Sequence, residues 1–335
     1  MKRSNTRLAD VNEIFCTFLL NNRQFPDPAT EREFKRKVTL LSDKEIAEQT
    51  GRARVMVKEF LRIAGAKGYQ FPKAVYWTAR PGFNFQQLLG VKINQNKFPA
   101  DILVEFRGGG FLGFSAKSTT SGDVGFKNPG MGTVDRELGI NNTDYVTKQE
   151  QVIRNVYRDF GRMSNELRSN QMRKWKESAD PQFLDISRRG SKVETYCRNR
   201  LLTRLNQMVT QEERRDYIIG SWLDATDAYP PYLKVTGNGT AEEVQLPIPL
   251  PPVPFAQQIL NLVFPPGWGG RFTATVYDPM QNSKMDALNT KKITFTKAGS
   301  NSIAVKAGQK PLFNMRYKFS GYKFASSMKL SGDPR

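Results

Sequence analysis

The chain has 335 residues, a formal net charge of +19 and no histidine. The lack of histidine excludes Ser-His-Asp hydrolysis, zinc sites with imidazole ligands and nucleases with a histidine base, and leaves carboxylate, lysine and tyrosine chemistry. The charge predicts a polyanionic partner, nucleic acid before a membrane, because no apolar run approaches the roughly 18 residues that span a bilayer.

The first 70 residues have apolar positions at helical spacing. A helix that contains Glu13 is predicted over residues 7–20, with Asp10 or Asn12 as its start. Residues 41–61 match a helix-turn-helix, in which Ser42 caps one helix and Gly51 marks the turn. A helical hairpin packed beside a sheet is the alternative, because such motifs need structural context.

Cysteine content predicts no metal knuckle and no disulfide framework. Only Cys16 and Cys197 are present, far apart in apolar or helical surroundings. Such residues are expected to be buried free thiols, and a reducing cytoplasm is the natural compartment for them.

Residues 98–117 predict two strands joined by a glycine turn. If residues 108–110 form a three-residue loop, Asp101 lies opposite Lys117 and shares one face of the hairpin with Ser115 and Lys117. A loop one residue shorter would send the hydroxyl and the amine to the other face. A carboxylate that holds a divalent cation beside a lysine is what phosphodiester hydrolysis requires.

This hairpin resembles the active site of the PD-(D/E)XK nucleases, the restriction-endonuclease-like superfamily. In that family an Asp on one strand precedes an acid-x-Lys triplet on the next, and the matching segments are Pro99-Ala-Asp101 and Ser115-Ala-Lys117. The resemblance covers about a third of the chain. It implies an α+β (mixed α/β) fold, with a central mixed sheet flanked by helices, and it implies Mg²⁺ as the cofactor, with Mn²⁺ as the alternative.

The sequence departs from the family pattern at Ser115, which stands where the family usually has an acid. A hydroxyl is a poorer ligand for a hard cation than a carboxylate. Glu105 lies about 13 Å along the strand from Asp101, too far to replace the missing acid. Many family members carry a Glu on the first helix that points into the site, so the resemblance assigns the second acid to Glu13.

The resemblance also implies a role for each residue of the site. Asp101 and Glu13 would hold the metal, helped by the backbone carbonyl of Ala116, since some relatives with a Ser-x-Lys triplet use the carbonyl of the middle residue. Lys117 would orient the attacking water or stabilise the pentavalent phosphorus, and Ser115 would supply a supporting hydrogen bond. The alternative is a buried hairpin in which Asp101 and Lys117 form a simple ion pair.

Further basic segments follow the hairpin. Residues 118–133 form a loop of small polar residues, either a phosphate-binding loop that includes Lys127 or a flexible surface loop. A helical block rich in Arg and Lys follows, either a DNA-gripping insertion or a solvated helix face. Residues 246–254 are proline-stiffened, as in surface linkers or, less expected, in a ligand of a proline-recognising domain.

The chain finishes with strand-like runs at residues 272–277, 292–297, 303–306 and 313–319. In the last run Arg316 and Lys318 share one face, opposite an apolar set. With Lys323 they could lie along phosphates, or they could be solubilising cations on an edge strand.

These observations predict one interrupted domain. Residues 1–144 would carry the N-terminal helices and catalytic hairpin of the nuclease core, 145–228 a helical insertion, 229–270 a proline-rich connection, and 271–335 basic strands that complete the core. The predicted function is a Mg²⁺-dependent endonuclease for double-stranded DNA, restriction-like or phage-type. A non-catalytic DNA-binding or structural protein on a nuclease scaffold and a helix-turn-helix regulator are the alternatives. The oligomeric state, a homodimer included, stays open.

Overall fold

The computed structural model describes residues 5–95, 98–120, 125–224, 229–244 and 267–335. The fold is α+β, as predicted. It divides into two units: unit 1 comprises residues 1–124 and 223–281, and unit 2 comprises residues 125–222 and 282–335. The proline-rich residues 246–254 lie outside the described residues.

Unit 1 begins with the helices α1 (Asn5–Leu20), α2 (Pro28–Val38) and α3 (Asp43–Ala66), and the short helix α4 (Phe85–Leu89) follows its first strand. Asp10 and Asn12 lie inside α1, so the prediction that one of them starts this helix was wrong. Both make tertiary contacts instead. Asp10 forms an ion pair with Lys37 of α2, and Asn12 donates a hydrogen bond to the Gln49 carbonyl of α3.

The predicted helix-turn-helix is one continuous helix, α3. Ser42 caps it as expected, in a capping box with Glu45, but the chain runs through Gly51 without a turn. A Cβ atom at Gly51 would lie 2.4 Å from the ring of Phe272. Glycine at this position therefore permits close packing of the helix on an aromatic side chain, and the sequence signal was mistaken for a turn.

Two glycine substitutions in α3 should shift stability in opposite directions. We expect Gly51→Ala to destabilise the protein by about 1–3 kcal/mol, because the added methyl group overpacks against Phe272. Gly65→Ala is the matched control, since a Cβ there meets no atom within 4 Å. It should stabilise the helix by about 0.5–1 kcal/mol through helix propensity. Urea denaturation measures both; a stabilising Gly51→Ala would contradict the packing account.

Unit 1 contains a mixed five-stranded sheet in the order β1-β2-β3-β4-β5. Only β3 and β4 run parallel; the other neighbours are antiparallel. Helices α1 and α3 pack on this sheet around a core that includes Phe15, Phe60, Ile102, Phe114 and Val235. The strands are β1 (Pro72–Trp77), β2 (Ile102–Phe106), β3 (Phe111–Thr119), β4 (Tyr232–Glu243) and β5 (Trp268–Tyr277).

Strand β4 corrects the predicted proline-rich connection over residues 229–270. This 12-residue strand is the parallel neighbour of β3 and lies beside the β2–β3 hairpin in the sheet. Its segment contains Gly237 and Gly239, which weaken the strand signal. In the structure a Cβ at Gly237 would meet Met56 of α3 at 2.6 Å, so this glycine lets the helix pack directly on the sheet.

The hairpin register differs by two residues from the predicted one. Ile102 pairs with Phe114 and Glu105 with Phe111, so Asp101 does not face Lys117 directly across the ladder. The turn keeps three residues but lies one position earlier than predicted, over residues 107–109, because the Phe106 amide donates to the Gly110 carbonyl (3.1 Å). A shift of two residues preserves the side-chain alternation, so the predicted grouping on one face survives.

Unit 2 combines helices with a separate antiparallel sheet in the order β6-β7-β8-β9. Of the residues 271–335, only those of β5 belong to the sheet of unit 1; the prediction that all these strands complete one core was wrong. The helices are α5 (Met131–Leu138), α6 (Asn142–Val156), α7 (Arg158–Arg162), α8 (Asn165–Glu177), α9 (Pro181–Asn206), α10 (Gln211–Tyr217) and α11 (Asn282–Thr290). The strands are β6 (Ile293–Lys297), β7 (Ser302–Ala307), β8 (Lys310–Phe319) and β9 (Met328–Pro334).

Across the described ranges, no helix is both long enough and apolar enough to pass through a bilayer. Cys16 and Cys197 are free and buried, as the sequence predicted.

Candidate active site

Asp101 is held at the entrance to β2 by its own backbone. Its amide donates to the Phe114 carbonyl (3.1 Å), and its carbonyl accepts from the Thr78 amide (3.0 Å). The backbone of Asp101 is therefore hydrogen-bonded to the chain on both sides of it, which fixes the position from which its side chain projects.

The Asp101 carboxylate accepts three hydrogen bonds from β3, all at Oδ2. The donors are the Ala116 amide at 2.9 Å, the Lys117 Nζ at 3.0 Å and the Ser115 Oγ at 3.4 Å. The predicted Ser-x-Lys triplet therefore contacts the predicted Asp through each of its residues. Oδ1 accepts none of these three bonds.

Glu13 lies in the middle of α1 and is 8% exposed. Its Oε2 accepts a hydrogen bond from the Trp77 indole (3.1 Å), and Trp77 pairs with Ile102, the residue after Asp101. Burial, and after it the charge of Asp101, raise the pKa of Glu13 to about 8, against the opposing effects of the Trp77 hydrogen bond and Lys117. Glu13 thus lies near enough to Asp101 for the charge of Asp101 to act on it.

Lys117 is an ammonium group in this site. Burial by itself would lower its pKa, but the charges of Asp101 and Glu13 and the hydrogen bond to Asp101 outweigh burial and raise it. The Lys117 side chain is 31% exposed, so solvent and a bound molecule can reach it. A proton on Nζ makes Lys117 a donor and a positive charge, not a base.

Ser115 and Ala116 both donate hydrogen bonds to the Asp101 carboxylate. Ser115 is 3% exposed, and its hydroxyl is directed to Asp101, in line with the predicted supporting hydrogen bond. Ala116 contacts Asp101 through its N–H group. The carbonyl role that the resemblance implies for Ala116 stays a prediction.

Glu105 lies outside this cluster, as the strand spacing predicted. Its carboxylate pairs with Lys73 at 2.5 Å and accepts a hydrogen bond from Tyr76 at 3.3 Å. Among the described residues there is no group of three or more His, Cys, Asp or Glu side chains arranged to hold a metal ion. The acidic part of the site is therefore the pair Glu13 and Asp101.

This donor set fits Mg²⁺ or Mn²⁺ better than a metal that needs an all-protein cage. Mg²⁺ usually keeps several waters and binds through one or two carboxylates plus substrate phosphates. Two acids, one of them with a raised pKa, beside a single ammonium group form a cluster that a further positive charge would stabilise.

A buried polar network behind Lys117 was missed by sequence reasoning. Ser118 donates to Gln49 Oε1 (2.7 Å) and accepts from the Arg52 guanidinium (3.0 Å). Arg52 also donates to the Gly239 carbonyl (2.8 Å) and forms an ion pair with Glu48 (3.0 Å). These bonds tie α3 to β3 and β4 next to the site. The sequence signal for this network was a pair of polar residues of α3, Gln49 and Arg52, which lie three positions apart in the helix.

The four cations predicted to contact DNA all belong to unit 2. Arg316 and Lys318 alternate with buried residues on β8, as predicted, but Arg316 pairs with Asp333 at 2.6 Å. Lys323 pairs with Glu194. Burial lowers the pKa of Lys318, with Asp333 opposing this effect. Lys127 forms a backbone bridge to Gly332. Carboxylates already neutralise two of the four, so their role in DNA binding stays a prediction.

Comparison with known proteins gives no relative. No family model matches the chain, and neither the curated proteins nor the solved structures contain a match. The interpretation of the site therefore depends on its own geometry and chemistry.

Proposed function

We propose that this protein is a divalent-metal-dependent endonuclease that hydrolyses phosphodiester bonds in double-stranded DNA. The observation that carries the proposal is the convergence of Glu13, Asp101 and Lys117, which come from α1, from the entrance to β2 and from β3. Two carboxylates and an ammonium group are the minimal set for metal-assisted attack on a phosphodiester.

Glu13 and Asp101 are the residues that would hold Mg²⁺ or Mn²⁺, with the carbonyl of Ala116 as a further oxygen ligand. A divalent cation, when bound, lowers the pKa of water and offsets the charge that develops on the phosphate. Glu13 binds as the carboxylate, so it gives up its proton when the site is loaded.

Lys117 stabilises the negative charge that builds up on the phosphate oxygens during hydrolysis. Its raised pKa keeps the proton on Nζ, which favours this role over that of a base. The hydrogen bond to Asp101 fixes the direction of the ammonium group before substrate arrives. Ser115 supports the same carboxylate from the buried side.

The net charge of +19 supports a polyanionic substrate. No side chain of the cluster is placed as a nucleophile, so we propose direct attack by water without a covalent intermediate. Two free buried cysteines are in keeping with a cytoplasmic setting.

Asp101→Asn tests the proposal with supercoiled plasmid as substrate. The purified full chain should nick or linearise the plasmid with Mg²⁺ and not with EDTA. Asp101→Asn should lower the rate by on the order of 10³-fold, because a neutral amide is a weaker cation ligand than a carboxylate. Glu105→Gln, which removes a carboxylate from the same hairpin outside the cluster, should cleave at the wild-type rate. Equal rates for all three proteins would contradict the assignment.

Ser115 favours a second candidate function, a DNA-binding protein that retains this scaffold without cleavage. The residue puts a neutral hydroxyl where nucleases of this type place an acid, and among the described residues no group of three acids is arranged to hold a metal ion. This candidate predicts tight binding of duplex DNA with no nicking under Mg²⁺ or Mn²⁺. The plasmid assay separates it from the enzyme.

A further inference from the structure

The exposed face of α9 in unit 2 contains no carboxylate over its last five turns. Between Ile186 and Asn206 the only acid is Glu194, which is 4% exposed and paired with Lys323. The same stretch contains six cations: Arg188, Arg189, Lys192, Arg198, Arg200 and Arg204. Arg198 is buried and Arg189 pairs with Asp185, which leaves Arg188, Lys192, Arg200 and the half-buried Arg204 as the cations of the surface. A solvated helix face usually mixes both signs of charge, so this surface is unusual in its single sign.

A stripe of exposed and half-buried residues runs along one side of α9. Residues 192, 195, 199, 203 and 206 recur at spacings of three and four, which places them on one side of the helix. All are exposed or half-buried. They are Lys192, Thr195, Asn199, Thr203 and Asn206. The opposite side of α9, which includes Val193, Cys197, Leu201 and Leu205, is buried.

A cleft of about 540 Å³ adjoins the C-terminal half of this stripe. Its wall contains Asn199, Arg200, Thr203 and Gln207, and each lining side chain is neutral or cationic. The Tyr196 ring at its side stacks on Tyr145 of α6 with centroids 3.6 Å apart. Contacts between these aromatic rings hold the helix face in a fixed position.

We infer that α9 is a DNA-reading helix that lies in the major groove. The major groove admits an α-helix, Arg pairs with guanine, and Asn and Gln pair with adenine. Asn199 and Arg200 of α9, and Gln207 directly after its last residue, present these three side-chain types at the wall of the cleft. Arg188 and Lys192, nearer the N-terminal end, contact phosphates. The inference rests on the proposed function for its choice of duplex DNA as the partner, and it adds the element that selects the sequence.

Binding by the full chain tests this inference apart from cleavage. Asp101→Asn is used as the background, so that bound DNA stays intact, and duplexes are selected from a random library and sequenced. A preferred sequence should be enriched. Asn199→Ala should weaken binding to that sequence by about 5- to 150-fold, the loss of one bidentate base contact, and leave binding to random duplex nearly unchanged.

Two double variants separate charge from position. Arg188→Ala with Lys192→Ala should weaken binding to all duplexes and lower the salt dependence. Arg173→Ala with Lys174→Ala removes the same charge from exposed positions of α8 and should leave affinity and sequence preference unchanged.

Three results would overturn the inference: no enriched sequence, α9 variants that bind like the α8 control, or stronger binding of single-stranded RNA than of duplex DNA. These outcomes do not depend on nicking. A protein that binds DNA through α9 and never nicks would contradict only the nuclease, whereas one that nicks and ignores changes in α9 would contradict only the reading helix.

Discussion

Lys117→Ala should lower the rate of duplex DNA cleavage by on the order of 10³-fold. Lys117 is the ammonium group hydrogen-bonded to Asp101, and its raised pKa keeps it charged at neutral pH. Without Lys117, no ammonium group at this position stabilises the negative charge that develops on the phosphate. The measurement is single-turnover cleavage of a labelled duplex at saturating protein, which separates the chemical step from binding.

Lys73→Ala is the matched control for Lys117→Ala. Lys73 also pairs with a carboxylate of β2, Glu105, but its side chain is 61% exposed and outside the cluster. We expect this variant to cleave within about twofold of the wild type, since exposed ion pairs contribute little. If both lysine variants cleave as fast as the wild type, Lys117 has no part in the chemistry.

Glu13→Gln should remove most of the pH dependence of stability between pH 5 and 8 in metal-free protein. In the folded protein Glu13 has a pKa of about 8, against 4.5 for an unperturbed Glu. The unfolded chain therefore loses this proton first as pH rises. The stabilising contribution is complete below about pH 4.5 and is lost as the pH approaches 8, and its size is on the order of 5 kcal/mol.

Urea denaturation in EDTA at pH 5 and pH 8 measures this effect. The wild type should lose stability across the interval, Glu13→Gln should change far less, and Glu105→Gln should keep the wild-type slope. Addition of Mg²⁺ should restore the wild type at pH 8, because the cation binds the folded site. Equal slopes for wild type and Glu13→Gln would show that Glu13 titrates normally in the fold.

The site was predictable because its chemistry follows short-range rules. Strand alternation placed Asp101, Ser115 and Lys117 on one face, and this grouping tolerates a two-residue error in register. The exact pairing depends on the position of the turn, which lies over residues 107–109 instead of 108–110, and no local pattern fixes that choice in a run of glycines. Glu13 was reached only through the family resemblance, and the structure brings it into electrostatic contact with Asp101.

The larger errors came from residues whose identity is set by packing. Gly51 was interpreted as a turn, although it is the point where α3 meets Phe272. Glycines also weakened the strand signal of β4. At Gly237 the lack of a side chain lets α3 pack directly on the sheet. The division into two units was missed because β5 and β6 have similar strand patterns, while their partners are set by long-range pairing.

Binding of Mn²⁺ at pH 8 tests the central claim most directly, namely that Glu13 and Asp101 share one divalent cation. Calorimetry on the full chain should give one ion per chain, and Glu13→Gln and Asp101→Asn should each weaken binding by at least about tenfold. Glu105→Gln should bind as the wild type does. Wild-type protein that binds no Mn²⁺, or variants that all bind it equally, would contradict the account.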